Sequence, residues 1–420
     1  MLTSVAICLS LSLFTLGTYL VWPSRYNVPA HLGVGFILIA YVVPTFILDI
    51  QDDSPAEVVD LYVNILVVGT IFYLIGLFAG FLAKLPTARF SFNVLSLEEY
   101  ESRIIKITRN FLICGIGGLI LGYLMMGFVP MFAADPVSAK FFRGPYQVPF
   151  YTSIVYLSSF FILSNITPIS FMIWYKHRNK SIFLFLTIIA VILMMLSLSR
   201  GPAFTGVLTA IIIIMSFKSR SSFAILLLLI VFIYLFSSIF YYLIGIKDIN
   251  DIAGGFDKTD HLIWRVMAAG TNDIYDQLNF LTYFENKPEW TYGRTVFGGL
   301  VPSHYEWNPS VYTLKVVNPG KDLSELISGG LRLPGPVWGY VSFQWTGVIT
   351  FSFLSGFIKG AFLKYLKTWM EKHKSILTST VLIVISMAIF EPLSSFYTLS
   401  IYLLPTLFLL MFYAYRFRLK

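Results

Sequence analysis

Apolar runs of about twenty residues recur along this chain, and that is the length a lipid bilayer imposes on a spanning helix. They fall near 2–22, 31–50, 61–83, 109–128, 150–174, 181–198, 202–217, 221–246, 341–361, 376–396 and 398–415. A bilayer removes the need for charge over most of a protein's perimeter and demands long apolar segments instead. Composition agrees: 57% of the residues are hydrophobic and 12% are charged, where a water-facing protein has roughly a quarter charged. The expected fold is all-α, a polytopic transmembrane helical bundle of about 11 spans. The first run begins MLTSVAICLSLSLF with no basic residue ahead of it, so it is expected to be a retained span rather than a cleaved signal.

The connections set the orientation. The loop after the second run, QDDSPAEVVD, has no Lys or Arg, whereas the next contains Lys84, Arg89, Arg103, Lys106 and Arg109. KHRNK (176–180), KSR (218–220), KYLKTWMEKHK (364–374) and the terminal RFRLK are basic as well. Short basic loops stay cytoplasmic, which puts the N-terminus outside and the C-terminus inside with an odd number of spans. The net charge of +8 is thereby explained by loop placement, and no nucleic-acid partner is expected. The same reading makes residues 1–246 a bundle of eight spans, 247–340 one large outer loop, and 341–420 three further spans with a cytoplasmic tail.

A connection of that length carries structure or function of its own. DHLIWRVMAAGTNDIYDQLNFLTYFENK has helical apolar spacing, while TYGRTVFGGLVPSH and LRLPGPVWG read as turns punctuated by Gly and Pro. Walker A, HExxH, CxxC and G-x-S-x-G patterns are all missing, so no ATPase or protease signature is present. Cys8 and Cys114 lie inside apolar runs with no metal-ligand spacing, and no cofactor or metal is expected.

Arginine on the outer side is the informative feature. Arg200 lies in SLSRGPAF between the sixth and seventh runs, where Gly201 and Pro202 are expected to make a sharp reversal that holds it at the interface. Arg143 (FFRGPYQVP) follows the fourth run, and Arg265, Arg294 and Arg332 lie in the large loop. A guanidinium keeps its charge and grips phosphate through two parallel hydrogen bonds. Such a cluster at the outer lipid interface is what a pyrophosphate-linked lipid needs. The competing reading of Arg143, Arg294 and Arg332, each taken alone, is a headgroup contact or an ion pair.

Glu391, in VLIVISMAIFEPLSSF, is an ionisable group placed within a span near its outer end. It is either functional or the ion-pair partner of an arginine such as Arg200. His261 and His304 have the side chain for a general base near neutral pH, against the alternative of packing histidines. Trp290, Tyr292, Tyr305, Trp307, Trp338 and Tyr340 suit stacking on sugar rings, or else an interfacial aromatic belt.

Taken together, SRGP (199–202), DHLIWRVM (260–267), KPEWTYG (287–293) and PGPVWGYVSFQWTG (334–347) resemble the O-antigen polymerase family of bacteria (Wzy type), relatives of the O-antigen ligases. The likeness covers the whole layout but only about forty residues by motif. Gln344 stands where relatives often carry Gly, Gly339 where an acid is common, and SGGLRLPGP lacks the His that ligases place at the end of the loop. The resemblance implies an enzyme of the bacterial cytoplasmic (inner) membrane. It would transfer a growing glycan from undecaprenyl pyrophosphate onto a lipid-linked repeat unit at the outer face. Its partners would be undecaprenyl-pyrophosphate-linked oligosaccharides, membrane lipids and a chain-length regulator. Arg200 and Arg265 would hold the departing pyrophosphate, joined by Arg143, Arg294 and Arg332. Glu391 and His304 are the candidate bases. A flippase for the same lipid, an O-antigen ligase and a non-catalytic component of a polysaccharide machine are the competing readings.

Overall fold

A computed structural model describes residues 2–37, 41, 45, 54–84, 94–198, 200–218, 225, 226, 229, 232, 273–302, 305–322, 330–372, 375–416 and 418–419. It is helical apart from a pair of two-residue parallel strands, Val94–Leu95 and Arg418–Leu419. The first apolar run forms α1 (Leu2–Leu16) and α2 (Thr18–Val21), parted at Gly17, and the second contains α3 (Val28–Ile37). Next come α4 (Ala56–Leu82), α5 (Leu97–Met126), the short α6 (Pro136–Lys140), α7 (Phe150–Lys176), α8 (Ser181–Leu196) and α9 (Arg200–Lys218). The described part of the large loop forms α10 (Asp273–Asn286), α11 (Arg294–Gly298) and α12 (Pro309–Val317). The chain then enters α13 (Gly335–Lys372), α14 (Ile376–Ser394) and α15 (Leu404–Arg416).

Among the described residues, α4, α5, α7, α13 and α14 are long and apolar enough to cross a membrane, which points to a membrane protein. The apolar helices at 3–16, 181–196, 205–218 and 401–411 are shorter than a full crossing, and the expected span at 221–246 lies almost wholly outside the described residues. Several boundaries differ from the sequence reading: the helices expected from 61 and 109 begin at Ala56 and Leu97. The helix expected from 341 starts at Gly335, inside the stretch read as a turn, and TYGRT leads into the helical turn α11.

The chain divides into two compact units. The first contains residues 1–82, 220–363 and 394–398. Here α4 and α13 touch backbone to backbone. A Cβ on Gly76 or Gly80 would sit 2.2 or 2.0 Å from the carbonyl oxygens of Phe353 or Phe357. Reciprocally, one on Gly356 or Gly360 would sit 2.1 or 2.0 Å from those of Tyr73 or Leu77. Both helices thus present a Gly-x-x-x-Gly ridge. Because lipid is as apolar as a side chain, close van der Waals contact rather than burial from water holds such helices together.

The loop elements share this unit's core. Ile274, Leu278 and Leu281 recur at four and three residues along α10, and with Phe280 and Phe284 they are buried. They pack in one cluster with Tyr62, Ile65 and Leu66 of α4, Tyr312 of α12 and Trp338 of α13. Phe280 and Phe284 stack with centroids 6.0 Å apart. Burial of a side chain of this size is worth roughly 1.5–3 kcal/mol where it is taken from water.

The start of α13 is anchored by the loop. The helix is interrupted at Phe343 (φ −143°, ψ 28°) and Gln344 (φ 54°, ψ −142°). The Thr291 N–H donates to the Val341 carbonyl at 2.9 Å, and the hydroxyls of Thr291 and Ser342 are 2.9 Å apart. The chain reverses so sharply that a Cβ on Gly347 would lie 1.9 Å from the Gly339 oxygen. Gln344 thus holds a backbone conformation that glycine adopts freely, at the position where the resembled family often carries Gly.

The second unit contains residues 83–219, 364–393 and 399–420. Helix α5 opens with a capping box: the Ser96 hydroxyl accepts from Glu99 N–H, and the Glu99 carboxylate accepts from Ser96 N–H at 3.0 Å. One turn on, Glu101 takes an ion pair from Lys176 at 2.6 Å and a hydrogen bond from the Ser375 hydroxyl at 2.6 Å. Those contacts tie the start of α5 to the end of α7 and the turn before α14.

Candidate functional site

Of the expected site residues, His261, Arg265 and His304 lie outside the described residues, and the side chain of Arg200 lies outside them too. The backbone at Arg200 opens α9. The reversal before it is not made by Gly201 and Pro202, which sit in the first helical turn. It falls on Ser197 and Leu198, and Leu198 carries the positive φ of 60°.

In the second unit the Arg143 turn and the turn before Arg200 meet on one side chain. Phe142 packs edge-on against Tyr156 at 5.7 Å, and Tyr156 is hydrogen-bonded to Ser197. Arg143 is buried, only 5% exposed, with its guanidinium 5.3 Å from the Phe141 ring. Burial pulls its pKa below the usual arginine value by disfavouring the charge. Such a cation is a less open phosphate contact than the sequence implied. Glu391 is half-buried in α14 of the same unit, immediately before Pro392.

The first unit holds Arg294 and Arg332, both exposed. Arg294 begins α11 and lays its guanidinium over Trp307 at 4.7 Å, a cation–π contact that fixes the side chain while leaving it open to water. Arg332 sits between α12 and α13 over a polar cluster that sequence reasoning missed. Its Nη1 is 3.9 Å from Oδ2 of Asp273, the first residue of α10. Asp273 is 7% exposed, whereas the Arg332 side chain is 73% exposed.

The backbone of Arg332 is held firmly. Its carbonyl accepts from Gln277 Nε2 at 2.7 Å, and Gln277 Oε1 accepts from the Tyr62 hydroxyl. The preceding N–H, on Leu331, donates to the Thr313 hydroxyl at 3.0 Å. Tyr41 feels the charges of both Asp273 and Arg332 and lies beside Tyr397. Desolvation pushes the Asp273 carboxyl above the ordinary carboxylate range, with Arg332 pulling partly against it. An acid opening a helix is ordinary in sequence. Nothing in TNDIYDQLNF announces that Asp273 meets an arginine from the far end of the loop.

The aromatic residues divide. Trp307, Trp338 and Tyr340 are 8%, 1% and 8% exposed and belong to the unit's core, so they are not free stacking platforms. Trp290 packs against Phe284 and Tyr340 at 5.1 and 5.6 Å. Tyr292 and Tyr305 are exposed. A loop packed into the core of its unit uses its large aromatics to fill that core.

The arrangement offers an exposed guanidinium on a hydrogen-bonded backbone, backed by a buried acid. Guanidinium groups bind phosphate oxygens in pairs, so this geometry suits a phosphorylated ligand. Among the described residues no set of three His, Cys, Asp or Glu side chains is placed to ligate a metal. Comparison with family models, with curated proteins and with solved structures found no match to this chain.

Proposed function

We propose that this chain is an O-antigen or related polysaccharide repeat-unit polymerase of the bacterial inner membrane. It crosses the membrane about eleven times, with its N-terminus outside and residues 247–340 at the outer face. Glycan passes from undecaprenyl pyrophosphate onto the sugar hydroxyl of a lipid-linked repeat unit: the bond from anomeric carbon to pyrophosphate breaks as the new glycosidic bond forms. Undecaprenyl pyrophosphate departs with the electron pair, so no nucleotide is consumed. Arg200 and Arg265, with Arg294 and Arg332 from the loop, neutralise the developing charge. Glu391 or His304 receives the hydroxyl proton.

The observation that supports this reading is the described part of the loop, residues 273–302, 305–322 and 330–333. It is folded onto helices of spanning length and offers Arg294 and Arg332 to solvent from fixed positions. The resemblance carried by SRGP, DHLIWRVM and PGPVWGYVSFQWTG supplies the substrate class. The test is deletion of the gene followed by gel analysis of surface glycan. Loss of long chains with a single repeat unit retained is the expected result. Loss of all attached glycan would favour a ligase or flippase, and unchanged ladders would refute the assignment.

A further inference from the structure

Asp273 and Arg332 do not form an ordinary ion pair. At 3.9 Å the two groups attract without a hydrogen bond, and Asp273 Oδ2 is buried with no hydrogen-bond partner among the described residues. The backbone on both sides of the guanidinium is locked through Gln277 and Thr313, while the head of the side chain projects into water. A fixed backbone carrying a loosely held guanidinium can exchange one anionic partner for another. We propose that Asp273 and Arg332 form a gated anion site: a phosphate or diphosphate draws the guanidinium off the carboxylate, and the abandoned carboxylate takes up a proton.

The chemistry follows from burial. A carboxylate shut away from water keeps its charge only while a cation or hydrogen-bond donors compensate it. Among the described residues, the other groups facing Asp273 are Tyr62 from α4 and Tyr41, and Asp276 lies one turn along α10. A tyrosine is neutral at neutral pH and anionic above its titration, so neither can replace the lost positive charge. Asp273 therefore competes with the ligand when ionised and stands aside when protonated. Anion binding at Arg332 draws in a proton from solvent, and the balance is one proton per occupied site at full coupling.

The choice of ligand rests on the polymerase reading, but the test involves no glycan transfer. Full-length protein in detergent is titrated calorimetrically with inorganic pyrophosphate, and in parallel with undecaprenyl pyrophosphate, in buffers of different ionisation enthalpy. Wild type is expected to bind with proton uptake. At pH 8 Asp273→Asn should bind about tenfold more tightly than wild type without that uptake, and the ratio should fall toward one near pH 4.5. Asp273→Ser serves as a second variant, and Arg332→Gln should lose tenfold or more in affinity in either background. Binding of both ligands identifies the bare diphosphate as what is read. Binding of the lipid form alone identifies the lipid-linked source. Weaker or unchanged binding by both Asp273 variants at pH 8, or proton uptake that survives them, would overturn the proposal. If diphosphate binds with proton uptake while deletion of the gene leaves glycan ladders intact, the site stands and the polymerase assignment falls.

Discussion

Replacing Gly76 with alanine tests whether α4 and α13 are held by backbone contact. The added methyl would lie 2.2 Å from the Phe353 carbonyl oxygen, where ordinary contact begins near 3.4 Å. The helices must part by about 1 Å, and a gap of that size forfeits a quarter to a half of each dispersion contact along the seam. Overpacking of this kind costs about 1–3 kcal/mol, and here it falls on a ridge that Gly80, Gly356 and Gly360 also line. Against this, alanine gains up to about 1 kcal/mol over glycine in a helix interior. The net expectation is a loss of about 1–2 kcal/mol. Gly117 supplies the control, because a Cβ there meets nothing within 4 Å. Gly117→Ala should therefore be neutral or stabilising by about 0.5–1 kcal/mol. Thermal unfolding of the detergent-purified protein, followed by tryptophan fluorescence and checked by gel filtration, reads both. Equal melting temperatures for Gly76→Ala and wild type would refute backbone contact as the basis of the packing.

Three further outcomes follow from the first unit and the topology. The Asp273 carboxyl is raised in the folded protein, so its burial is a penalty absent below about pH 4 that grows as pH rises through the folded pKa. Arg332→Gln should widen that window, lowering the melting temperature more at pH 8 than at pH 5, whereas Asp273→Asn should raise it at pH 8; melting curves at the two pH values decide. Gln344→Gly should relieve a positive-φ conformation that costs about 1–3 kcal/mol in a residue with a side chain, offset by roughly 0.5–1 kcal/mol of unfolded-state entropy, and so should unfold no more easily than wild type in a thermal melt. A periplasm-active reporter fused near residue 290 should be active and one near residue 369 inactive; the reverse pattern would remove the outer site.

Helix placement was legible because hydropathy over twenty residues is a local property. The runs at 61–83, 109–128, 150–174 and 376–396 coincide with helices of spanning length. The partners were not legible, because they depend on contacts between distant segments. Gly76, Gly80, Gly356 and Gly360 show a Gly-x-x-x-Gly spacing in sequence, yet only the fold says that the two ridges face each other. Trp338 and Tyr340 looked like a sugar platform because a spanning protein concentrates aromatics at interfaces, but the loop buries them in its own core. The turn before Arg200 falls on Leu198, a residue type that gives no signal for positive φ. The Asp273–Arg332 pair was hidden because neither residue is unusual where it stands.

The proposed function requires arginines that grip a diphosphate outside the membrane. Its most direct test is a strain lacking the gene, complemented with Arg200→Ala or Arg265→Ala, with protein level measured alongside the glycan ladder. Each variant should accumulate to the wild-type level and fail to make long chains, and lysine at either position should restore them poorly because it lacks the forked donor geometry. Normal ladders from both alanine variants would contradict the central claim.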